Sequence, residues 1–288
     1  MTLNEARTIL TRELNTVYDR DELRNIIELV LEHITGLSRV EQVKGKIPYL
    51  TCTQLETLDA ITERLKKNEP VQYVLGEAWF AGMKFKVNRN VLVPRPETEE
   101  LVQWVVDEVN AQRPMHNSQF SIIDIGTGSG CIPIAIKKKL PTADLTGIDV
   151  CSEALFTATA NAIEQNTEVN FILLDFLDEE KWSTVGLFDI VVSNPPYVKQ
   201  SEKDSMHARV TSFEPHLALF VPGDDALLFY RKLADFAVQH LHPGGKLFVE
   251  INEALGNEVV NVFRSAGLAG TQLKQDMQGK DRLIMAIK

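Results

Sequence analysis

A glycine-rich turn between a buried strand and a helix is the feature that most constrains the fold of this chain. The apolar run 120–125 predicts a buried strand, and a helix is predicted to begin at Cys131. The turn between them consists of Gly126, Thr127, Gly128, Ser129 and Gly130. A strand, a glycine-rich turn and a helix in succession bring a ligand close to bare backbone. We therefore expect an α/β fold with a ligand site at this turn.

Acidic residues follow the next two predicted strands. Asp149 ends the run 144–149, where a carboxylate can accept hydrogen bonds from both hydroxyls of a ribose. Asp175 follows the run 169–174 and could accept from an adenine amino group, with Phe176 packing on the ring. All these positions are strand ends, and ligands of open α/β sheets bind at the carboxyl edge.

Each of these features also has a purely structural interpretation. The glycine turn can be a tight connection between a strand and a helix. Asp149 can cap the helix that is predicted to begin near Ser152, and Asp175 can be an ordinary acid in a loop. Their joint occurrence at successive strand ends favours the ligand site.

A rigid tetrapeptide, Asn194-Pro195-Pro196-Tyr197, ends another predicted strand, 188–193. Its prolines fix the backbone and remove two N–H donors, whereas the backbone carbonyl groups remain free to accept hydrogen bonds. Asn194 adds a carboxamide oxygen, and Tyr197 adds a flat apolar face. Together these groups suit a planar NH2 group. The alternative is an ordinary exit from a strand, because Asn-Pro often marks a turn.

Together these features resemble class I methyltransferases that use S-adenosylmethionine. The tetrapeptide resembles that of enzymes that methylate adenine N6 or glutamine N5. Other segments are similar to the release-factor glutamine methyltransferase family, also called PrmC or HemK. These segments are Pro70–Gly76, Val93–Glu99, Phe213–Pro215 with Leu217–Phe220, and Gly279–Arg282. The first 70 residues match the family only in length and helical character.

The resemblance implies a fold, a methyl donor and a partner. The fold is an α/β, Rossmann-like class I methyltransferase with a mostly parallel seven-stranded sheet whose last strand is antiparallel. The donor is S-adenosyl-L-methionine, and S-adenosyl-L-homocysteine is the product. The partners are class I peptide-chain release factors, which are methylated on the glutamine of a Gly-Gly-Gln loop. The expected cofactor contacts are Gly126, Thr127, Gly128, Ser129, Gly130, Asp149, Asp175, Phe176 and Asn194.

The chemistry expected at the tetrapeptide follows from the weakness of an amide as a nucleophile, because its lone pair is delocalised into the carbonyl. Asn194 Oδ1 and the Pro195 carbonyl, the two catalytic groups, would each accept one N–H and stabilise the positive charge that develops on the nitrogen. Pro196 and Tyr197 complete the substrate contacts, with Tyr197 holding the amide plane. No essential histidine is expected.

The chain is predicted to divide into three segments. Residues 1–75 carry helical periodicity and predict a small helical bundle, for which the family resemblance implies substrate docking. Residues 76–96 predict a β-hairpin linker. Residues 97–288 alternate strands with helices and form the methyltransferase domain. A bundle that serves stability alone is the alternative for the first segment.

Composition limits the classes of function. A net charge of −10 argues against an enzyme dedicated to nucleic acid, because a duplex binder needs a basic surface. The three cysteines do not form a disulfide framework, and reduced cytoplasmic thiols are expected. No His/Cys spacing suits a metal, and no apolar run suits a membrane span. We therefore expect a cytoplasmic enzyme with no metal, no membrane partner and no direct nucleic-acid substrate.

Other functions remain open at this point. The same tetrapeptide would serve an adenine-N6 nucleic-acid methyltransferase or a ribosomal-protein glutamine methyltransferase. A dehydrogenase that uses NAD is disfavoured, because the third glycine comes one residue earlier than in the dinucleotide fingerprint. A silent binding scaffold is disfavoured because the expected site residues are present.

The charged segment around Arg95 and Glu97 has two interpretations. The resemblance places it beside the mouth of the donor and substrate site. A corner held by a salt bridge is the structural alternative.

Overall fold

The computed structural model describes residues 1–45, 49–112 and 119–288. Capping residues begin and end its N-terminal helices. Thr2 and Thr51 each form a reciprocal capping box with the first helical turn that follows. Gly36 ends a helix in the left-handed conformation, at φ 67°. The helices are α1 (Leu3–Leu14), α2 (Arg20–Thr35), α3 (Arg39–Val43), α4 (Cys52–Lys66) and α5 (Val71–Leu75).

These helices belong to the smaller of two compact units, which also includes residues 208–213. The helices share one apolar core, in which Leu10, Leu31 and Leu65 are fully buried. Within this unit Arg209 pairs with Glu22, and its guanidinium carbon lies 4.8 Å from the centroid of the Tyr18 ring. The helical bundle predicted for residues 1–75 thus also includes residues 208–213, which are distant from it in the sequence.

Strands β1 (Glu77–Phe80) and β2 (Met83–Lys86) form a hairpin in the predicted segment. Ala81 (φ 49°) and Gly82 (φ 75°) make the turn. The side chains of Phe80 and Phe85 meet edge to face, with 6.0 Å between ring centroids, and are buried in the core of the larger unit. The hairpin is therefore an integral part of that unit.

The larger unit, residues 78–207 and 214–288, is built on a seven-stranded sheet. Its strands are β3 (Ser121–Ile125), β4 (Asp144–Asp149), β5 (Asn170–Leu173), β6 (Phe188–Ser193), β7 (Leu241–Glu250), β8 (Ala269–Gln275) and β9 (Asp281–Ile287). They lie in the order β5-β4-β3-β6-β7-β9-β8. All run parallel except β9, which pairs antiparallel with β7 and β8. The predicted sheet with an antiparallel last strand is confirmed.

Helices cover both faces of this sheet, and neighbouring strand residues are buried on opposite sides. Ile122 packs in one core with the first helices of the unit, whereas Ile123 packs in a second core with the later ones. This two-sided burial explains why the central strands are continuous apolar runs. The helices are α6 (Pro96–Gln112), α7 (Cys131–Lys139), α8 (Ser152–Glu164), α9 (Ala208–Phe213, in the smaller unit), α10 (His216–Leu219), α11 (Leu228–His240) and α12 (Gly256–Ser265).

Strand β7 begins at Leu241 and continues through the segment 243–245, with an irregular register against β6. Strand β8 was not predicted, since it lies at the sheet edge and its mostly polar residues form no apolar run. None of the helices in the described part of the chain is long and apolar enough to cross a bilayer.

Candidate active site

Strand register brings the predicted site segments to one edge of the sheet. Ile125, the last residue of β3, is the register partner of Ile148 in β4 and of Ser193 in β6. The Ser193 hydroxyl donates to the Ile125 carbonyl oxygen at 2.7 Å and ties the two strand ends together. Gly126 and Asn194 therefore follow adjacent positions on the carboxyl edge.

The glycine turn is open on one side and tightly packed on the other. A Cβ atom built on Gly128 (φ 54°) would have no atom within 4 Å, whereas one on Gly130 (φ 76°) would lie 3.1 Å from side-chain atoms of Ala158 and Ile134. Gly130 is thus required for helix packing, and Gly128 leaves room for a ligand against the backbone. Gly126 is exposed at the start of the turn, and Thr127 is buried.

A buried amide that sequence reasoning missed holds this turn in place. Asn161 of α8 donates from Nδ2 to the carbonyl oxygen of Ser129 at 2.9 Å. The same side chain accepts from the Lys86 N–H at 2.7 Å and donates to the Lys86 carbonyl at 3.0 Å. The Asn161 carboxamide therefore fixes the hairpin and the glycine turn to one helix.

Asp149 contacts the glycine turn directly. Its Oδ2 accepts from the Gly128 N–H at 2.8 Å, and its Oδ1 accepts from the Cys151 N–H at 2.9 Å. Burial raises the pKa of Asp149, and these backbone hydrogen bonds oppose the rise. The N-cap residue of α8, Cys151, makes no side-chain cap hydrogen bond of its own, so the Asp149 carboxylate contacts the start of this helix only through the Cys151 N–H. Each carboxylate oxygen keeps capacity to accept a further hydrogen bond from a ligand.

Asp175 and Phe176 follow β5, and their side chains differ in exposure. Asp175 is partly exposed, and its Oδ1 accepts from the Leu177 N–H at 3.0 Å. The Phe176 ring is only 6% exposed and stacks on Trp182 at a centroid distance of 5.4 Å, with Phe236 against its edge. Phe176 was predicted to pack on an adenine ring, and this side-chain role is wrong because the ring already packs in the core.

Asp124 is a buried acid to which sequence reasoning gave no role. It lies in β3, close before Gly126, and is 0% exposed. Among the described residues, neither carboxylate oxygen of Asp124 nor the buried Thr127 hydroxyl has a hydrogen-bond partner. Burial raises the pKa of Asp124 to about 7, and the nearby Thr127 hydroxyl opposes the rise. An unsatisfied buried carboxylate beside an open turn fits a cationic ligand group.

Asn194 is held by two residues from other elements. Its Nδ2 donates to the Thr98 hydroxyl oxygen at 3.1 Å. The Thr98 hydroxyl donates to Oε2 of Glu250 at 2.6 Å. Thr98 lies in the first turn of α6, and Glu250 ends β7, whose residue Val249 is the register partner of Ser193. Sequence reasoning named neither as a site residue, although Thr98 lies in the Val93–Glu99 segment.

The rest of the tetrapeptide forms a partly buried corner after β6. Pro195 is buried, and Pro196 and Tyr197 are partly exposed. The Tyr197 ring packs against the second core of the larger unit. Burial raises the pKa of Tyr197 to about 12, and the nearby Glu250 carboxylate adds to the rise. The phenol is therefore neutral at physiological pH and presents an uncharged face.

Arg95 forms a salt bridge, as its structural interpretation requires. Its Nη2 donates to both carboxylate oxygens of Glu214, at 2.6 and 2.7 Å, and Glu214 is buried. Glu97 is partly exposed in the first turn of α6. In the ranges that the structure describes, no three His, Cys, Asp or Glu side chains are grouped in a way that could hold a metal ion.

Comparison with known proteins decides the family. Two family models match the chain: Methyltransferase small domain at residues 109–217, and PrmC N-terminal domain at residues 5–76. A release factor glutamine methyltransferase of Flavobacterium psychrophilum is 42% identical over 99% of this chain and 98% of its own length. The chain belongs to the release factor glutamine methyltransferase family. A relative with the same name from Bacteroides thetaiotaomicron is 38% identical over 99% of both chains.

The likeness to this family of glutamine methyltransferases covers more of the chain than the motifs indicated. The sequence motifs began near residue 70, whereas the relatives align over nearly the whole length and the PrmC N-terminal model covers residues 5–76. The helical bundle is therefore part of the family likeness.

Solved structures agree with the fold of the family. The catalytic domain of hMettl16, in complex with a MAT2A 3′UTR hairpin, superposes with a TM-score of 0.55 at 14% identity, over 83% of each chain. A T. thermophilus 16S rRNA N2 G1207 methyltransferase, in complex with AdoMet and guanosine, gives 0.51 at 16% identity, over 74% of this chain and 49% of its own. At such low identity these structures establish the methyltransferase fold and nothing about the substrate.

Proposed function

We propose that this chain transfers a methyl group from S-adenosyl-L-methionine to the side-chain nitrogen of the glutamine in the Gly-Gly-Gln loop of class I release factors. The observation that carries the proposal is the 42% identity, over nearly the full length of both chains, to a protein named release factor glutamine methyltransferase. The corner at Asn194 supports the proposal, because its hydrogen-bond-accepting oxygens suit the NH2 group of a carboxamide.

The carboxyl edge of the sheet provides groups that fit each part of the methyl donor. The backbone of the glycine turn, from Gly126 to Gly130, would lie against the donor, and Asp149 would accept from the ribose hydroxyls. Asp175 would accept from the adenine amino group. The buried Asp124 carboxylate, whose oxygens have no partner among the described residues, would pair with the donor's ammonium group. The donor, when bound, supplies a sulfonium methyl group that is already activated for displacement.

The corner after β6 would position the glutamine side chain that receives the methyl group. Asn194 Oδ1 and the Pro195 carbonyl oxygen each accept one N–H of the glutamine carboxamide, which orients the nitrogen. As the nitrogen–carbon bond forms, the bond between that methyl carbon and the donor's sulfur would break and leave S-adenosyl-L-homocysteine. Positive charge would develop on the nitrogen, and these two oxygens would stabilise it. The nitrogen becomes acidic at the same time, so its proton can leave to water without a strong base. Tyr197 limits rotation of the carboxamide plane.

Incubation of the purified chain with a donor carrying a labelled methyl group tests this proposal. One reaction contains a full-length class I release factor, a second contains the same factor with the loop glutamine replaced by alanine, and a third contains an adenine-rich oligonucleotide. We expect label only in the first reaction, on the peptide that contains the glutamine. Label on the oligonucleotide, or on release factor that lacks the glutamine, would overturn the proposal.

A further inference from the structure

We propose that Thr98 and Glu250 are positioning residues. They decide which end of the Asn194 carboxamide faces the glutamine nitrogen that receives the methyl group. The inference rests on the proposed function, because it takes Asn194 Oδ1 as the group that accepts an N–H of the substrate. It adds two residues from distant parts of the sequence to the description of the site.

The three side chains form a continuous hydrogen-bonded relay. Glu250 is 2% exposed and Thr98 is 3% exposed, so water does not compete freely for either group. The Thr98 hydroxyl donates to Glu250 Oε2 at 2.6 Å, and Asn194 Nδ2 donates to the Thr98 oxygen at 3.1 Å. The relay therefore runs from a buried carboxylate to the proposed catalytic amide.

The direction of this relay follows from the number of hydrogens available. A hydroxyl group has one hydrogen, and a carboxylate can only accept. Once the Thr98 hydrogen is donated to Glu250, the Thr98 oxygen can only accept from Asn194. Asn194 must then present its NH2 group to Thr98, which leaves Oδ1 on the other side. A reversed amide would bring its NH2 group against the NH2 group of the acceptor, and two donors cannot bond.

This selection requires that Glu250 be ionised. Burial raises the pKa of Glu250 to about 7, while the Thr98 hydrogen bond and Arg282 oppose the rise. Arg282 is itself held by Asp276, whose Oδ2 accepts from Nε at 3.1 Å. The charged and titratable groups that face Glu250 are Arg95, Glu97, Tyr197, Tyr230 and Arg282. The Gly279–Arg282 segment thus supplies a cation that favours the carboxylate form.

Protonation of Glu250 would reverse the relay. A neutral carboxyl group can donate to Thr98, and the Thr98 hydroxyl can then donate to Asn194 Oδ1, which turns the NH2 group toward the acceptor. Because the pKa lies near 7, the ionised and productive form increases as the pH rises through that value. Turnover at saturating donor should therefore fall as the pH is lowered below about 7.

The experiment compares Thr98→Val with Thr98→Ser in the full chain. Valine has the size of threonine but no hydroxyl, whereas serine keeps the hydroxyl. We expect T98V to lower kcat on full-length release factor by about a hundredfold. The Kd for S-adenosylhomocysteine and the KM for release factor should change little, and T98S should stay close to the unaltered chain. Equal kcat for T98V and T98S would overturn the inference.

Two further variants keep the test decisive, because T98V leaves the buried Glu250 carboxylate without its donor and can impair folding. T98V/E250Q removes the charge as well and should be as slow as T98V, whereas E250Q alone places a neutral side chain that, like the protonated carboxyl group, can donate to Thr98, so its kcat should be lowered at every pH. E250Q should lose the decline of kcat below pH 7. A decline that persists in E250Q would contradict the relay. Failure of the unaltered chain to methylate release factor would instead refute the proposed function.

Discussion

The two sides of the candidate site are built in opposite ways. On the donor side, Asp124 and Thr127 have buried polar atoms that lack partners among the described residues. On the acceptor side, Asn194, Thr98 and Glu250 already bond to one another. The first arrangement lowers stability until a ligand supplies the missing charge. The second is organised before the acceptor arrives, so substitutions on the two sides should affect different measured quantities.

The largest expected effect is on the acceptor side. Replacing Asn194 by Ala removes an oxygen that stabilises the developing charge, so kcat should fall by about a hundredfold to a thousandfold. The Kd for S-adenosylhomocysteine, measured by calorimetry, should change little. N257A, which removes an exposed asparagine from α12, is the matched control and should retain full turnover. Survival of turnover in N194A would show that the amide pocket is misassigned.

A smaller effect is expected on the donor side at Asp124. Asp124→Asn keeps the shape of the side chain but removes the charge that would pair with the donor's ammonium group. Affinity for S-adenosylhomocysteine should fall by about a hundredfold. The thermal midpoint of the donor-free protein should rise, because a buried, unpaired carboxylate is lost.

The control for this substitution is D235N, at an exposed acid on α11, which should change neither affinity nor midpoint. The pH dependence sharpens the test. A folded-state pKa of about 7 means that Asp124 is mostly protonated below that value in the donor-free protein. Affinity for S-adenosylhomocysteine, through its ammonium group, should therefore rise as the pH increases through about 7, and D124N should lack this rise. Identical pH profiles would exclude Asp124 as the ammonium partner.

The smallest of these effects is expected at Asp149. Asp149→Ala removes an acceptor for the ribose hydroxyls and the bond to the Gly128 N–H. Affinity for S-adenosylhomocysteine should weaken by about tenfold, which corresponds to one hydrogen bond to a charged group. The rate of methyl transfer at saturating donor should stay near that of the unaltered chain. An unchanged affinity by calorimetry would remove Asp149 from the ribose role.

Local signals in the sequence predicted the sheet and the position of the glycine turn, Asp149 and Asn194 at its carboxyl edge. Central strands are apolar runs because both of their faces are buried. The glycine turn and Asn194 stand directly after such strands, and Asp149 is the last residue of one. Asp124 could have been found in the same way, since it is a single acid inside a run that is otherwise apolar. Strand β8 escaped because an exposed edge strand needs no apolar run.

The remaining site residues depend on contacts that sequence spacing does not reveal. Thr98 lies 152 residues from Glu250 and 96 from Asn194, so only the folded sheet brings them together. The Phe176 ring was misassigned for a related reason, because its partners Trp182 and Phe236 come from later elements.

A crystal structure of the full chain with S-adenosylhomocysteine and a peptide that contains the Gly-Gly-Gln loop would test the account most directly. We predict that the ligand's ammonium group lies within hydrogen-bond distance of Asp124. We also predict that the glutamine NH2 group lies between Asn194 Oδ1 and the Pro195 carbonyl oxygen, with its nitrogen facing the sulfur. A peptide glutamine bound elsewhere, or an Asn194 NH2 group turned toward it, would contradict the account.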